Sequence, residues 1–125
     1  MQDPPDPAAG AGTQTRHDLH GEYPRAATVE DFCHNLAAVQ ARIDAACQRA
    51  GRDPGQVRLL PVSKTVDPAR IRLAHAAGCT MLGENKVQEA FAKWEAMADL
   101  ADLRWSLIGH LQTNKARYVA RFAHE

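Results

Sequence analysis

Three short polar groups each follow an apolar segment of the sequence, and one of them contains a lysine suited to carbonyl chemistry. The groups are Ser63-Lys64-Thr65, Glu84-Asn85-Lys86 and Gly109-His110. Lys64 follows the apolar residues 59–62, which are typical of a buried strand, with only Ser63 between them. An amine in such a position loses hydration, and its pKa falls towards the range in which the neutral form attacks an aldehyde to make a Schiff base. We therefore expect Lys64 to be a desolvated, reactive lysine.

The spacing of the three groups predicts that they share one edge of a sheet. Lys64 and Asn85 are 21 residues apart, and Asn85 and Gly109 are 24 residues apart. Each interval matches one strand–helix unit, and ligands bind at the carboxyl ends of parallel strands. The groups should therefore lie side by side. Composition alone still favours a simpler interpretation, in which Lys64 is a solvated lysine just past a strand.

One long amphipathic helix precedes these units. It is predicted to begin after Thr28, with Asp31 at the acidic position of a capping box. Apolar residues then recur at every third or fourth position until Gly51 ends the helix. Residues 1–27 are rich in Pro, Ala, Gly and Asp without such a period, and they are predicted to be a disordered leader.

Three apolar segments after this helix predict strands, each followed by a helix. The predicted strands are residues 57–62, 79–83 and 104–108. Asp67 and Pro68 suit the cap and first position of the helix after the first strand, and Thr113 or Asn114 suits the cap of the last helix. This alternation indicates parallel strands with right-handed crossovers, in either an open doubly wound sheet or a (β/α)8 barrel.

Composition argues against several classes of partner and site. Lys plus Arg equals Asp plus Glu at 15 each, so no overall field favours nucleic acid or an anionic membrane. No apolar run is long enough to span a bilayer and no secretion signal is recognised, so we expect a cytoplasmic protein. The three cysteines form no Cys-x-x-Cys pair, and Cys33 and Cys47 are interpreted as small buried residues of one helix.

Three segments, in this order and at this spacing, resemble the pyridoxal phosphate homeostasis protein family, also described as proline synthetase co-transcribed homologues. The segments run from Leu59 to Thr65, from Gly83 to Glu89 and from Trp105 to Lys115. The leading helix is also similar, so the resemblance extends from about residue 30 to residue 125. One segment alone would be weak evidence, but the three together favour the Schiff-base interpretation of Lys64 over the solvated one.

The resemblance implies a fold and a set of site residues. The fold is α/β, the N-terminal portion of a (β/α)8 TIM barrel like the N-terminal domain of alanine racemase, with about three βα units after a leading helix. Lys64 would hold pyridoxal 5′-phosphate (PLP) as a Schiff base, and Asn85 would be the polar neighbour of the cofactor ring. Ile108, Gly109 and His110 would form the wall and rim of the pocket. No catalytic residue and no metal ligand is implied, because family members are regarded as carriers or regulators rather than enzymes.

The resemblance also implies partners and shows two departures. The expected partners are PLP and the PLP-dependent enzymes that would receive it, with no nucleic acid and no membrane. Trp105-Ser106 stands where the family commonly has Trp-His, so any role of that histidine is absent or moved to His110. The family's later strands, whose loops hold the phosphate, have no counterpart here. We therefore expect residues 28–125 to be a truncated, partial TIM-barrel domain that is poorly stable or associates and that binds PLP weakly, whereas the full-length form is expected to be a monomer.

Three alternatives stay open on the sequence. The same chemistry could serve a PLP-dependent amino-acid racemase or decarboxylase, which would need a second acid or base opposite Lys64. The helix from Thr28 to Ala50 could dock a partner protein, with Lys64 incidental. The chain could also be a truncated fragment that binds no cofactor.

Overall fold

The computed structural model describes residues 25–125, so nearly all of the predicted leader, residues 1–27, lies outside the described part. Six helices and strands follow one another, and a short 3-10 helix precedes α2 and another precedes α4. They are α1 (Val29–Ala50), α2 (Pro68–Ala76), β1 (Met81–Glu84), α3 (Val87–Ala96), β2 (Arg104–Leu107) and α4 (Ala116–Val119), with the 3-10 helices at Pro54–Gln56 and Thr113–Lys115. Among the described helices, none is both long enough and apolar enough to cross a membrane.

Local signals at both ends of α1 act as the sequence predicts. The Thr28 hydroxyl accepts the Asp31 N–H at 3.1 Å, and the Asp31 carboxylate accepts the N–H groups of Thr28 and Ala27. The bond from Ala27 is the main cause of a lowered pKa at Asp31. Gly51 ends the helix with a left-handed backbone, φ +66°, which glycine adopts without strain.

The sheet is small and parallel. β1 pairs with β2 in a register that places Leu82 opposite Trp105 and Glu84 opposite Leu107. Leu82 and Trp105 point into the core that the helices form with one face of the sheet. The buried members of this core are Ile71, Ala74, Cys79, Leu82, Ala90, Met97, Leu103, Trp105 and Phe122. The chain is therefore α/β, with the helix-covered face of the sheet as its hydrophobic centre.

The predicted first strand, residues 57–62, is wrong as a regular strand. It pairs with β1 only through the parallel bridge between Val62 and Gly83, with Ser63 N to Gly83 O at 2.9 Å and Gly83 N to Pro61 O at 2.8 Å. The next rung would require an N–H at position 61 to donate to Met81, and proline has none. Residues 57–62 therefore form an extended segment at the edge of the sheet, paired with β1 at one position.

The face of the sheet opposite the core is open around two apolar residues, Val62 and Ile108. Alternation along the strand puts Gly83 on this face, since its neighbour Leu82 points into the core. A Cβ on Gly83 would meet the side chains of Ile108 at 3.3 Å and Leu60 at 3.6 Å. Val62 and Ile108 are 48% and 46% exposed. Within residues 25–125, no helix covers this face.

Two further predictions are corrected. Neither Thr113 nor Asn114 caps the last helix, because both lie inside the 3-10 helix that leads into the single turn of α4; the residue before them, Gln112, makes no side-chain cap. Cys33 is exposed, whereas Cys47 is buried as predicted. Cys33 follows Phe32 on α1 and is therefore turned away from the apolar stripe that Phe32 belongs to.

Candidate functional site

The ends of β1 and β2 are joined by close backbone contact. The N–H of Ile108 donates to the carbonyl of Glu84 at 2.9 Å, which continues the ladder one residue beyond β2. A Cβ built on Gly109 would lie 2.3 Å from the carbonyl oxygen of Asn85 and 3.0 Å from its Cα. Only a residue without a side chain fits there. Asn85 and Gly109, both predicted site residues, are therefore packed backbone to backbone.

A polar cavity of about 400 Å³ lies at this edge of the sheet. It is lined by Asn85, Lys86, Val87, Gln88, Gly109, His110, Gln112 and Lys115. Three of the predicted site residues, Asn85, Gly109 and His110, are thus brought together, with two lysines that were not predicted. Ile108 and Lys64 are not among its lining residues. Ile108 contributes instead to the open face of the sheet.

Lys64 lies in a tight turn at the same edge. The Val62–Gly83 bridge sets the register, so Lys64 and Asn85 each lie two residues beyond a paired position on neighbouring segments. The two residues therefore lie at the same end of the sheet. Lys64 is exposed, however, so the prediction of a desolvated amine is wrong in the described part of the chain. No described residue covers the open face beside it.

The buried lysine at this edge is Lys93 of α3. Its Nζ donates to the carbonyl of Ser63 at 2.6 Å and to one oxygen each of Glu84 and Glu89, both at 2.7 Å. The Ser63 hydroxyl donates to the same oxygen of Glu84. These four residues are called the Lys93 cluster below. All three protons of the ammonium are engaged, so Lys93 is unsuited to attack an aldehyde.

The cluster contains two carboxylates with different surroundings. Glu84 is completely buried, and its second oxygen, Oε1, has no hydrogen-bond partner in the described part of the chain. Its charge therefore depends on Lys93 and Ser63 alone. Glu89 is partly exposed and also accepts the Thr65 N–H at 2.7 Å. The hydrogen bond from Lys93, followed by that from Thr65, lowers the pKa of Glu89.

The lowered pKa of Glu89 predicts an acid-sensitive contribution to stability. A carboxylate with a depressed folded-state pKa stabilises the fold fully above its ordinary value of 4.5, and the contribution is lost as pH falls through the folded value. The free energy of unfolding, measured in urea between about pH 6 and pH 3, should fall less steeply in Glu89→Gln than in the parent chain. Glu95→Gln, an exposed change on the same helix, serves as the control. Parallel curves for all three proteins would contradict the role of Glu89.

Sequence reasoning missed the Lys93 cluster, although two signals were present. Glu89 and Lys93 are spaced i, i+4 in the favourable order. Lys93 also lies at helical spacing between the buried residues Ala90 and Met97, so a lysine there must face inward. What the spacing could not supply is the identity of its partners on the neighbouring segments.

Comparison with curated proteins identifies relatives. The chain is 54% identical over 89 residues to the pyridoxal phosphate homeostasis protein of Pseudomonas aeruginosa, covering 71% of this chain and 38% of that protein. The protein of the same name from Aquifex aeolicus is 49% identical over 87 residues, 70% of this chain and 38% of that protein. The protein of this name from Mycobacterium leprae is 35% identical over 102 residues, covering 75% of this chain and 40% of that protein. No family model matches the chain. The chain spans about two fifths of the length of these relatives, and they confirm the resemblance carried by the three motifs.

Two proteins of known structure are also similar to this chain. PipY of Synechococcus elongatus has been solved with and without PLP; each form is 43% identical, with a TM-score of 0.54, covering 65% of this chain and 38% of PipY. A protein of unknown function from Bifidobacterium adolescentis is 36% identical with a TM-score of 0.67, covering 76% of this chain and 43% of that one.

Proposed function

From the relationship of this chain to the pyridoxal phosphate homeostasis proteins, we propose that it binds PLP and that Lys64 holds the cofactor as a Schiff base. The observation that carries the proposal is the Val62–Gly83 bridge, which puts the Lys64 turn at the same end of the sheet as the polar cavity of Asn85, Gly109 and His110. When bound, the cofactor supplies an aldehyde with which a lysine amine condenses, releasing water.

The residues at this edge fit the cofactor. The approach of Gly109 to Asn85 leaves no room for a side chain between the two segments, so the cavity wall is formed there by backbone. Lys86 and Lys115 place two cationic side chains on the cavity lining, which suits an anionic ligand. Among the described lysines near the turn, Lys93 is excluded by its three acceptors. Lys64 is exposed, and its amine is accessible to a carbonyl.

Residues 28–125 form the first part of a (β/α)8 barrel, preceded by a separate leader of residues 1–27. The open apolar face of Val62 and Ile108 supports this, because a barrel encloses that face. The full-length protein is a cytoplasmic, non-catalytic carrier that passes PLP to PLP-dependent enzymes. The name shared by the curated relatives supports a role in homeostasis rather than in amino-acid chemistry.

The test is an absorbance titration of the 125-residue chain with PLP, followed by borohydride reduction and peptide mapping. We expect a new band at the edge of the visible range, its loss on reduction, and a label confined to the peptide that contains Lys64. Lys64→Ala should abolish the band. Lys64→Arg, which keeps the positive charge but has no amine that condenses with an aldehyde, should abolish it as well. Glu95→Gln, an exposed change outside the cavity lining, is the control and should keep the label on Lys64.

Two outcomes would overturn the proposal. Label distributed over several surface lysines, or a band that survives Lys64→Ala, would show that Lys64 is not the attachment site. Racemisation of an amino acid by a full-length protein, lost in Lys64→Ala, would replace the carrier with the enzyme alternative.

A further inference from the structure

The turn that contains Lys64 is not stabilised by its own hydrogen bonds alone. It spans residues 63–66, and its only internal backbone bond runs from Val66 N to Ser63 O at 3.1 Å. Thr65, the third residue, has a left-handed backbone with φ +62°. A type II turn needs positive φ at this position and normally uses glycine or asparagine, whereas a β-branched residue is strained there. Contacts from outside the turn must therefore hold it.

Those contacts come from α3 through the Lys93 cluster. Lys93 donates to the Ser63 carbonyl, the peptide group just before Lys64, at 2.6 Å. Glu89 accepts the Thr65 N–H, the peptide group just after Lys64, at 2.7 Å. Lys93 and Glu89 are themselves joined at 2.7 Å, one helical turn apart. The peptides on both sides of Lys64 are thus fixed by one ion pair on a neighbouring helix.

We propose that Lys93, acting with Glu89, is a positioning residue that holds the backbone of Lys64 at the cavity edge so that its amine meets a bound pyridoxal aldehyde. This inference rests on the proposed function and deepens it. Lys93 does not touch the cofactor; it acts through the Ser63 peptide. Removing it should slow condensation at Lys64 while leaving the cavity of Asn85, Gly109 and His110 in place.

The variant must separate positioning from folding. Lys93→Met alone would leave the buried Glu84 carboxylate unpaired, which destabilises a fold strongly. The double variant Lys93→Met with Glu84→Leu removes both buried charges, a change that folds generally tolerate. It also removes the donor to the Ser63 carbonyl. Glu89→Ala is the second variant: it is partly exposed, keeps the Lys93–Glu84 pair, and frees the Thr65 N–H.

Two measurements distinguish positioning from general damage. The first is the rate of appearance of the visible-edge band after mixing with PLP. The second is the affinity for pyridoxine 5′-phosphate, which carries an alcohol in place of the aldehyde and cannot condense. In variants with parental circular dichroism, we expect condensation to be slower by about tenfold to a hundredfold, the size of effect that small misplacement produces. The affinity for pyridoxine 5′-phosphate should differ less than about twofold from that of the parent chain. The variants shift only the backbone of Lys64 and leave the contacts between the cavity and the ligand intact.

Each outcome has a distinct meaning. No label on Lys64 in the parent chain would defeat the proposed function and this inference with it. A parent labelled at Lys64, together with folded variants that condense at the parental rate, would defeat only the positioning role. Equal losses of condensation rate and of pyridoxine 5′-phosphate affinity would show that the Lys93 cluster is merely structural. The positioning role is supported only if the rate of condensation with PLP falls and the affinity for pyridoxine 5′-phosphate does not.

Discussion

Replacing Trp105 with alanine should lower the free energy of unfolding by about 3–5 kcal/mol, the usual cost of removing a large buried aromatic side chain. Trp105 is 1% exposed and is the largest fully buried side chain in the described part of the chain. It lies on β2 opposite Leu82, where the sheet meets the helices. Few other side chains could fill the space, because the sheet has only two regular strands. Urea unfolding followed by circular dichroism measures the change.

Tyr118→Ala provides the comparison. Tyr118 is also a large aromatic residue, but it is 38% exposed, and its ring makes an edge contact with Phe91. Its removal should cost no more than about 1.5 kcal/mol. Equal losses in the two variants would mean that Trp105 does not anchor the core in solution. A chain in which Trp105→Ala leaves no cooperative transition would still agree with the prediction, since total stability of a domain is about 5–15 kcal/mol.

The second large effect is expected at Gly109. Alanine there would place its Cβ 2.3 Å from the carbonyl oxygen of Asn85, a backbone atom that cannot rotate away. The two segments must then separate, and overpacking of this kind costs about 1–3 kcal/mol. Because the same contact forms the wall of the proposed cofactor cavity, we expect PLP affinity to fall by roughly tenfold or more, as small displacements at a site have large effects. The PLP titration and urea unfolding report the two effects separately.

Gly83→Ala is the matched control for this prediction. Its Cβ would meet the Ile108 side chain at 3.3 Å, and that side chain is 46% exposed and can move aside. A glycine in a strand also has an entropic disadvantage of about 0.5–1 kcal/mol relative to alanine. The control should therefore change stability little. If Gly109→Ala binds PLP as the parent does, the contact with Asn85 is not a requirement of the site.

The elements that the sequence predicts best are those with local signals. The capping box of Thr28 and Asp31, and the left-handed Gly51, fix the ends of α1 without reference to the rest of the fold. Asp67 and Pro68 do the same for the start of α2. The apolar segments also locate β1 and β2 to within about two residues. Local backbone chemistry determines these features, so a single sequence is sufficient to find them.

Features that depend on register were less predictable. Apart from Arg58, residues 57–62 are as apolar as a buried strand, but Pro61 removes the donor that a second rung needs. The contact between Lys93 and Ser63 joins residues 30 positions apart, and it exists only because α3 crosses beside the turn. The exposure of Lys64 likewise depends on what covers the open face rather than on the residues around it in sequence. Interaction partners that are distant in sequence cannot be found from composition and periodicity.

The single rung at Val62 has a consequence for the motions of the chain. Elements held by few backbone bonds open more readily than the remainder of a fold, in separate local events. The segment before Lys64 has one such pairing with β1, and its other outside attachments near Lys64 are hydrogen bonds to side chains of α3 and to the Glu84 carboxylate of β1. The amide protons of residues 57–60, 62 and 63 should therefore exchange with solvent through local opening, while those of β1 and β2 should exchange only on global unfolding. A ligand bound covalently to Lys64 would reduce local opening of this segment more than that of β1 and β2. Attachment of the ligand would therefore order the site to which it attaches.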